Sequence, residues 1–166
     1  MASKAQKSEF LKLLNQCRGT LLKLCLLYTD RQPDNINDLF QDIVCNMWEG
    51  YPRYAGECTP NTWVYRIALN TVYMRHRVKR RMPQFVKISD TMYDGMADDS
   101  GNELVERLYY LIDLLDEEER AIIIPYLDKV SQKEMAVMFD TTETAINHRI
   151  NRIKKKLKKL NDNEPE

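Results

Sequence analysis

The chain is 166 residues long and carries 25 Lys plus Arg against 25 Asp plus Glu, a formal net charge of zero. That length makes one ordinary domain or two small ones, and 43% hydrophobic with 30% charged residues excludes a disordered chain. No apolar run approaches the ~20 residues that span a bilayer, and Met1 to Glu9 lacks a signal peptide's apolar stretch; the expectation is a soluble, cytoplasmic protein without membrane insertion.

Only 5 Gly and 6 Pro occur, and 3.6-residue periodicity recurs throughout, which predicts an all-α fold. Phe10, Leu14, Cys17, Leu21, Leu24 and Tyr28 form one apolar stripe on a first helix. Asp30 to Asn37 is turn chemistry, with Pro33 and candidate caps at Asn35 or Asn37. Asp38 to Trp48 reads as the next helix, and Gly50 to Thr59 as a loop. Thr59-Pro60 supplies a cap and a first-turn proline for a third helix running to about Arg81. On that helix Val64, Ile67, Thr71, Met74 and Val78 cluster on one side. Thr62, Tyr65, Arg66, Leu69, Tyr73, His76, Arg77 and Arg80 fall on the other, expected outward, side. Tyr and Arg interleaved on one face suit single-stranded nucleic acid, with rings for stacking and cations for phosphates.

Ser89 to Asn102 contains little that could make a core and reads as a linker. The expected organisation is therefore two small helical domains, 1–87 and 103–166, joined by an acidic linker over 88–102. The second opens with Leu104, Leu108, Leu111 and Leu115 on one face. Asp116 to Glu119 favours the first turn of a further helix, in which Pro125 predicts a kink or early stop. Ser131 to Glu134 is a capping-box signature for a short helix through Phe139. Asp140 to Thr142 is a turn and cap, and a last helix follows from about Glu143 to Leu160. Two helices joined by such a turn, the second ending in basic residues, form a helix-turn-helix pattern. Ile146, Ile150, Ile153, Leu157 and Leu160 make its buried stripe. Thr144, Asn147, His148, Asn151, Arg152 and Lys155 face the other way, with short polar groups for base edges and cations for phosphates.

The neutral total is a sum of sorted blocks. Residues 61–87 hold seven bases and no acid, 88–119 hold eleven acids and Arg107 alone, and 149–159 hold seven bases and no acid. At a Debye length of ~8 Å a distant acidic block does not cancel a basic one, so two basic interaction surfaces are expected. The four cysteines (17, 25, 45 and 58) have no metal-ligand spacing and read as plain thiols. With no glycine-rich phosphate loop and no nucleophile motif, no catalytic residue, metal, cofactor or small-molecule substrate is expected.

Asp38-Leu39-Phe40-Gln41-Asp42-Ile43-Val44 followed by Met47-Trp48 resembles a helix of bacterial sigma factors. Tyr54-x-Gly56-Glu57, Thr62 to Ala68 with Asn70, and the Arg75–Arg81 basic run are similar to the family's next segment. Leu114-x-x-Glu117-x-x-Arg120, Ser131-x-x-Glu134-Met135-Ala136 and Ala145 to Leu157 resemble its C-terminal helix-turn-helix. The short two-domain form resembles the extracytoplasmic-function group of the sigma-70 family.

The resemblance implies a non-catalytic promoter-specificity subunit of RNA polymerase. Asp38, Leu39, Gln41, Asp42 and Met47 would then bind core polymerase. Tyr54, Asn61, Thr62, Trp63, Arg66, Asn70, Tyr73, Arg77, Arg80 and Arg81 would bind and melt the minus-ten element. Thr142, Thr144, Asn147, His148, Arg149, Asn151, Arg152 and Lys155 would read the minus-thirty-five duplex. An anti-sigma factor is a further implied partner. The alternative is a stand-alone helix-turn-helix regulator that binds duplex without polymerase. Departures from the family pattern are Ala55 in place of a basic residue, Pro60 in place of an apolar one, Pro125 in a helix that usually runs on, and Lys129 and Asp140 at turn positions where Gly is usual.

Overall fold

Ser3 starts the first helix by accepting a hydrogen bond from the Gln6 N–H at 3.1 Å, which satisfies one of the four donors a helix start leaves open. The computed structural model describes residues 3–81 and 103–163, with backbone only at 79–81. Within them lie seven α-helices and no strand: α1 (Lys4–Leu27), α2 (Pro33–Gly50), α3 (Pro60–Arg81), α4 (Glu103–Asp113), α5 (Glu117–Leu127), α6 (Gln132–Met138) and α7 (Glu143–Asp162). A single 3-10 turn, Tyr51–Arg53, follows α2. The linker expected over 88–102 lies outside the described residues, and so do the side chains of Arg80 and Arg81.

The α1 stripe is as periodicity requires. Phe10, Cys17, Leu21, Leu24 and Tyr28 are buried on one face, against α2 and α3. Helix α2 begins earlier than expected. Pro33 sits in its first turn, where the missing N–H costs nothing and the ring's φ is already helical. Gln32 precedes it without a side-chain cap, and the expected cap Asn35 instead donates to the Asp30 carboxylate at 2.8 and 2.9 Å. Leu39, Ile43 and Met47 bury one face of α2.

Helix α3 departs most from the expectation. Val64, Tyr65, Ala68, Leu69 and Val72 are its buried residues, together with Thr62 and Thr71, whereas Met74 and Val78 are exposed. Tyr65 and Leu69 thus move from the expected outer face into the core. The reason is that α3 packs against α1 and α2 on one flank and against α5 and α6 on the other, so two faces are covered and a single-stripe reading fails.

In the C-terminal part, α4 also differs. Leu104 is 76% exposed and Leu108 is exposed too, while Leu111, Ile112 and Leu115 are buried. Its apolar packing is in the last turns, and Arg107 donates to the Asn161 side chain of α7 at 2.7 Å. Helix α5 is the centre: Ala121 to Pro125 are all buried. Asp116 and Glu119 form a reciprocal capping box at its start. The helix ends two residues beyond Pro125, which removes one ladder donor. Lys129 and Asp140 stand at φ 62° and 50°, the left-handed region where Gly is cheapest, as their turn positions imply. The apolar core is continuous from α1 to α7, since buried residues of both halves belong to one packed cluster.

Candidate nucleic-acid interface

Helix α7 is held by its apolar stripe. Ile146, Ile150 and Ile153 are buried against α5 and α6. The preceding turn is fixed by Thr141 N–H donating to the Ala136 carbonyl at 2.9 Å, and Thr142 Oγ1 accepts from the Ala145 N–H at 3.1 Å. With the stripe inward, Thr142, Thr144, Asn147, His148, Arg149, Asn151, Arg152 and Lys155 are all exposed. All eight residues expected on a duplex-reading face therefore reach solvent, the small polar ones in the first turns and the longer cations behind them.

The basic run is divided in two. Lys156 Nζ pairs with Glu119 at 2.6 Å, and Lys154 Nζ lies 5.4 Å from the centre of the Tyr126 ring and 3.4 Å from its hydroxyl. Both cations fasten α7 to α5. Arg149, Arg152 and Lys155, like Lys158 and Lys159, are exposed to solvent.

A second surface is built around α3. Five rings link the first three helices: Trp48 meets Phe10 edge-on at 5.0 Å, Phe10 meets Tyr51 at 5.3 Å, Tyr51 meets Trp63 at 6.4 Å, and Tyr54 stacks on Trp63 at 4.7 Å. Each such pair adds about 0.5–1.5 kcal/mol beyond its burial. The Tyr54 hydroxyl donates to the Cys58 carbonyl at 2.8 Å and closes the loop, and Gly56 at φ 74° lets the chain turn. Thr59 caps α3, its hydroxyl 3.4 Å from the Thr62 N–H.

This frame bounds an open hollow between α2, the loop and α3. Asn46, Arg53, Tyr54, Trp63, Arg66 and Asn70 line it. Asn61, Arg66, Asn70, Tyr73 and Arg77 are exposed along α3. Rings, amides and two guanidiniums around one hollow are the groups that grip an unstacked base and its phosphates. Thr62 does not join them: it is buried, its hydroxyl 2.9 Å from that of Thr59, and it shapes the start of α3 instead. Asn46 and Arg53 were missed in the sequence. Arg53 could have been found beside Tyr54 in the loop, but nothing in α2's pattern marks Asn46.

On α2, Asp38, Gln41 and Asp42 are exposed along one side. Leu39 and Met47 are buried in the chain's own core and have no surface to offer a partner. Among the described residues no helix is long and apolar enough to cross a membrane.

Two family models match the chain: Sigma-70 region 2 over residues 13–82, and Sigma-70, region 4 over residues 105–157. The chain is 36% identical over 90 residues to the ECF RNA polymerase sigma factor SigG of two Mycobacterium tuberculosis strains, CDC 1551 / Oshkosh and ATCC 25618 / H37Rv. The match takes in 54% of this chain and 23% of each relative, so the chain spans about a quarter of the length of the curated relatives it matches. In fold it is similar to the sigma factor RpoE of Bartonella quintana, solved with the anti-sigma factor NepR, at a TM-score of 0.68 and 20% identity over 98% of this chain and 100% of that one. It is equally similar to CnrH, solved with the cytosolic domain of CnrY, at 0.68 and 20% over 96% and 91%.

Proposed function

Because the chain belongs to the extracytoplasmic-function group of the sigma-70 family, we propose that it is a promoter-specificity subunit, which joins core RNA polymerase and directs transcription initiation. It acts by binding, not by catalysis. The observation that supports this reading is that one chain carries two different exposed surfaces, the polar and basic outer face of α7 and the ring-lined hollow on α3. The outer face of α7 suits the edges of a duplex, and the ring-lined hollow on α3 suits a melted strand. A stand-alone duplex-binding regulator needs only the first.

In this reading residues 103–166 read the minus-thirty-five element. Thr144, Asn147, His148 and Asn151 face base edges, while Arg149, Arg152 and Lys155 meet phosphates or guanine. Residues 1–87 bind the minus-ten element. Tyr54 and Trp63 form the wall on which a flipped base stacks, Arg66 and Asn70 meet its edge or phosphate, and Tyr73, Arg77, Arg80 and Arg81 follow the single strand. Asp38, Gln41 and Asp42 face core polymerase. The acidic stretch 88–102 runs through a basic channel of the polymerase. An anti-sigma protein is a further partner, supported by the solved relative whose structure contains one.

Run-off transcription tests the whole. The purified chain added to core polymerase is expected to direct initiation at a promoter found by sequencing DNA bound after overexpression. A chain that binds such duplexes equally well without polymerase, and never directs initiation, is the stand-alone regulator instead.

A further inference from the structure

The hollow beside α3 has two chemically different walls. On the α2 side stand Asn46 and Glu49, one turn apart, and opposite them Arg53 of the 3-10 turn and Arg66 of α3. The two guanidiniums can only donate hydrogen bonds, and the Glu49 carboxylate can only accept them. An amide can do either, so the way Asn46 is turned decides whether the α2 wall is mixed or uniform.

Thr71 sets that direction. It is buried, and its hydroxyl stands between the Ile67 carbonyl at 2.8 Å and the Asn46 amide nitrogen at 2.9 Å. A hydroxyl has one proton, and a carbonyl has none to give. The Thr71 proton therefore goes to Ile67, and toward Asn46 the Thr71 oxygen can only accept. The amide must turn its NH2 to Thr71, because the reverse orientation would set two oxygens together with no proton between them. The bonding network thus assigns nitrogen and oxygen, which have nearly the same shape. Oδ1 is the end of the amide left over, and with Glu49 it makes the α2 wall a row of acceptors.

From this we infer that the hollow selects a base with an exocyclic amine, cytosine or adenine, over thymine, and that Thr71 sets the preference by fixing Asn46. The inference deepens the proposed function and rests on it, since it takes a base to enter the hollow. The amine donates to Asn46 Oδ1 and is drawn to Glu49, while ring and carbonyl acceptors of the same base meet Arg53 or Arg66. Thymine and uracil place a carbonyl oxygen where cytosine has its amine. In the same pose that oxygen faces two acceptors, so the wrong base is opposed as well as the right one held. Asn46 touches the base, and Thr71 is a positioning residue that acts through it.

Single-stranded octamers of deoxycytidine and of deoxyuridine test this on the full-length chain, because the two share sugar, phosphate and ring size and differ at the amine edge. Fluorescence anisotropy should show the wild type binding the cytidine octamer about three- to tenfold more tightly, the size of one hydrogen bond made or left unmade. Asn46→Ala, at an exposed position, should bring the two affinities together. Thr71→Val, which removes the acceptor and nearly keeps the shape, should do the same, and Thr71→Ser, which keeps the hydroxyl, should retain the preference. A merely structural Thr71 would shift both affinities alike and leave their ratio untouched. Equal binding of the two octamers by the wild type, or a preference that survives in both Asn46→Ala and Thr71→Val, would overturn the inference. Arg66→Ala tests the reading beneath it. If that variant leaves both affinities unchanged, no strand enters the hollow and the inference falls with the reading; if it weakens both while the wild type binds them equally, the inference alone fails.

Discussion

The Arg75 guanidinium reaches the Asp42 carboxylate at 2.9 Å and so ties the exposed side of α2 to α3. One of the acids expected to face core polymerase is thereby already engaged within the chain. Gln41, its neighbour on the exposed side of α2, is uncharged and forms no ion pair.

The first prediction follows from that difference. Gln41→Arg should weaken core-polymerase binding at least tenfold and leave thermal stability unchanged. Asp42→Ala should also weaken it, and should lose in addition the ~0.2–1 kcal/mol of a surface ion pair. Fluorescence anisotropy with core enzyme and a thermal melt separate the two effects. Normal core affinity in both variants would rule out this side of α2 as the docking surface.

Arg152 and Lys156 belong to the same basic run but have different surroundings. Arg152→Ala should weaken binding to the cognate upstream duplex by ~1–3 kcal/mol and relax preference at one position. Lys156→Ala should leave duplex affinity unchanged while lowering stability modestly, because its partner is Glu119. A gel-shift titration on cognate and scrambled duplexes decides. An equal loss on both duplexes for Arg152→Ala makes that residue a phosphate contact.

Tyr73 lies on the exposed strip of α3 beside Arg77 and Asn70. Tyr73→Ala should impair open-complex formation more than closed-complex binding, with a loss of ~1–3 kcal/mol per unstacked base. Permanganate footprinting measures melting independently of affinity. Normal thymine reactivity in the variant would remove Tyr73 from the melting step.

The cysteines divide by burial. Cys45 is exposed, whereas Cys17 and Cys25 are buried in α1. Burial raises the Cys17 thiol and pushes that of Cys25 up to about 12. At pH 8 a thiol reagent should label Cys45 rapidly, and Cys17 and Cys25 only after unfolding. The same shift fixes a sign. The folded chain keeps the Cys25 proton where the unfolded chain loses it, so this contribution is complete below pH 9 and lost as pH rises from 9 toward about 12. Burial raises the Tyr65 hydroxyl as well and acts in the same direction. Melting temperatures across pH 7 to 11 should therefore fall above 9; a flat profile would contradict the burial.

Helix α7 was legible because it lies on one side of its neighbours: a helix covered on one flank writes a single 3.6-residue stripe, and the cap at Thr142 marks its start. Helix α3 was not, because it is covered on two flanks. Its apolar and polar residues no longer sort by side, and Tyr65 and Leu69 look outward in projection while lying in the core. Helix α4 misled for the opposite reason, since Leu104 and Leu108 continue a stripe whose covering neighbours stop short of them. Proline at 33 outweighed the side-chain caps that Asn35 and Asn37 seemed to offer. The pairing of the Asp128 carboxylate with Lys23 and Tyr65 was out of reach altogether, because it crosses 105 and 63 residues of chain, and no local pattern encodes it.

The stack of Tyr54 on Trp63 also gives the molecule an optical property. Its only tryptophans are Trp48 and Trp63, both in the N-terminal half, so excitation near the red edge of protein absorption leaves the C-terminal half dark. Trp63 lines the hollow where a base would be captured, and Trp48 lies against Phe10 in the ring cluster on the other side of Tyr51. Under the proposed function, emission from the unlabelled protein should therefore change when the hollow captures a strand, without a dye and with little signal from duplex binding at α7.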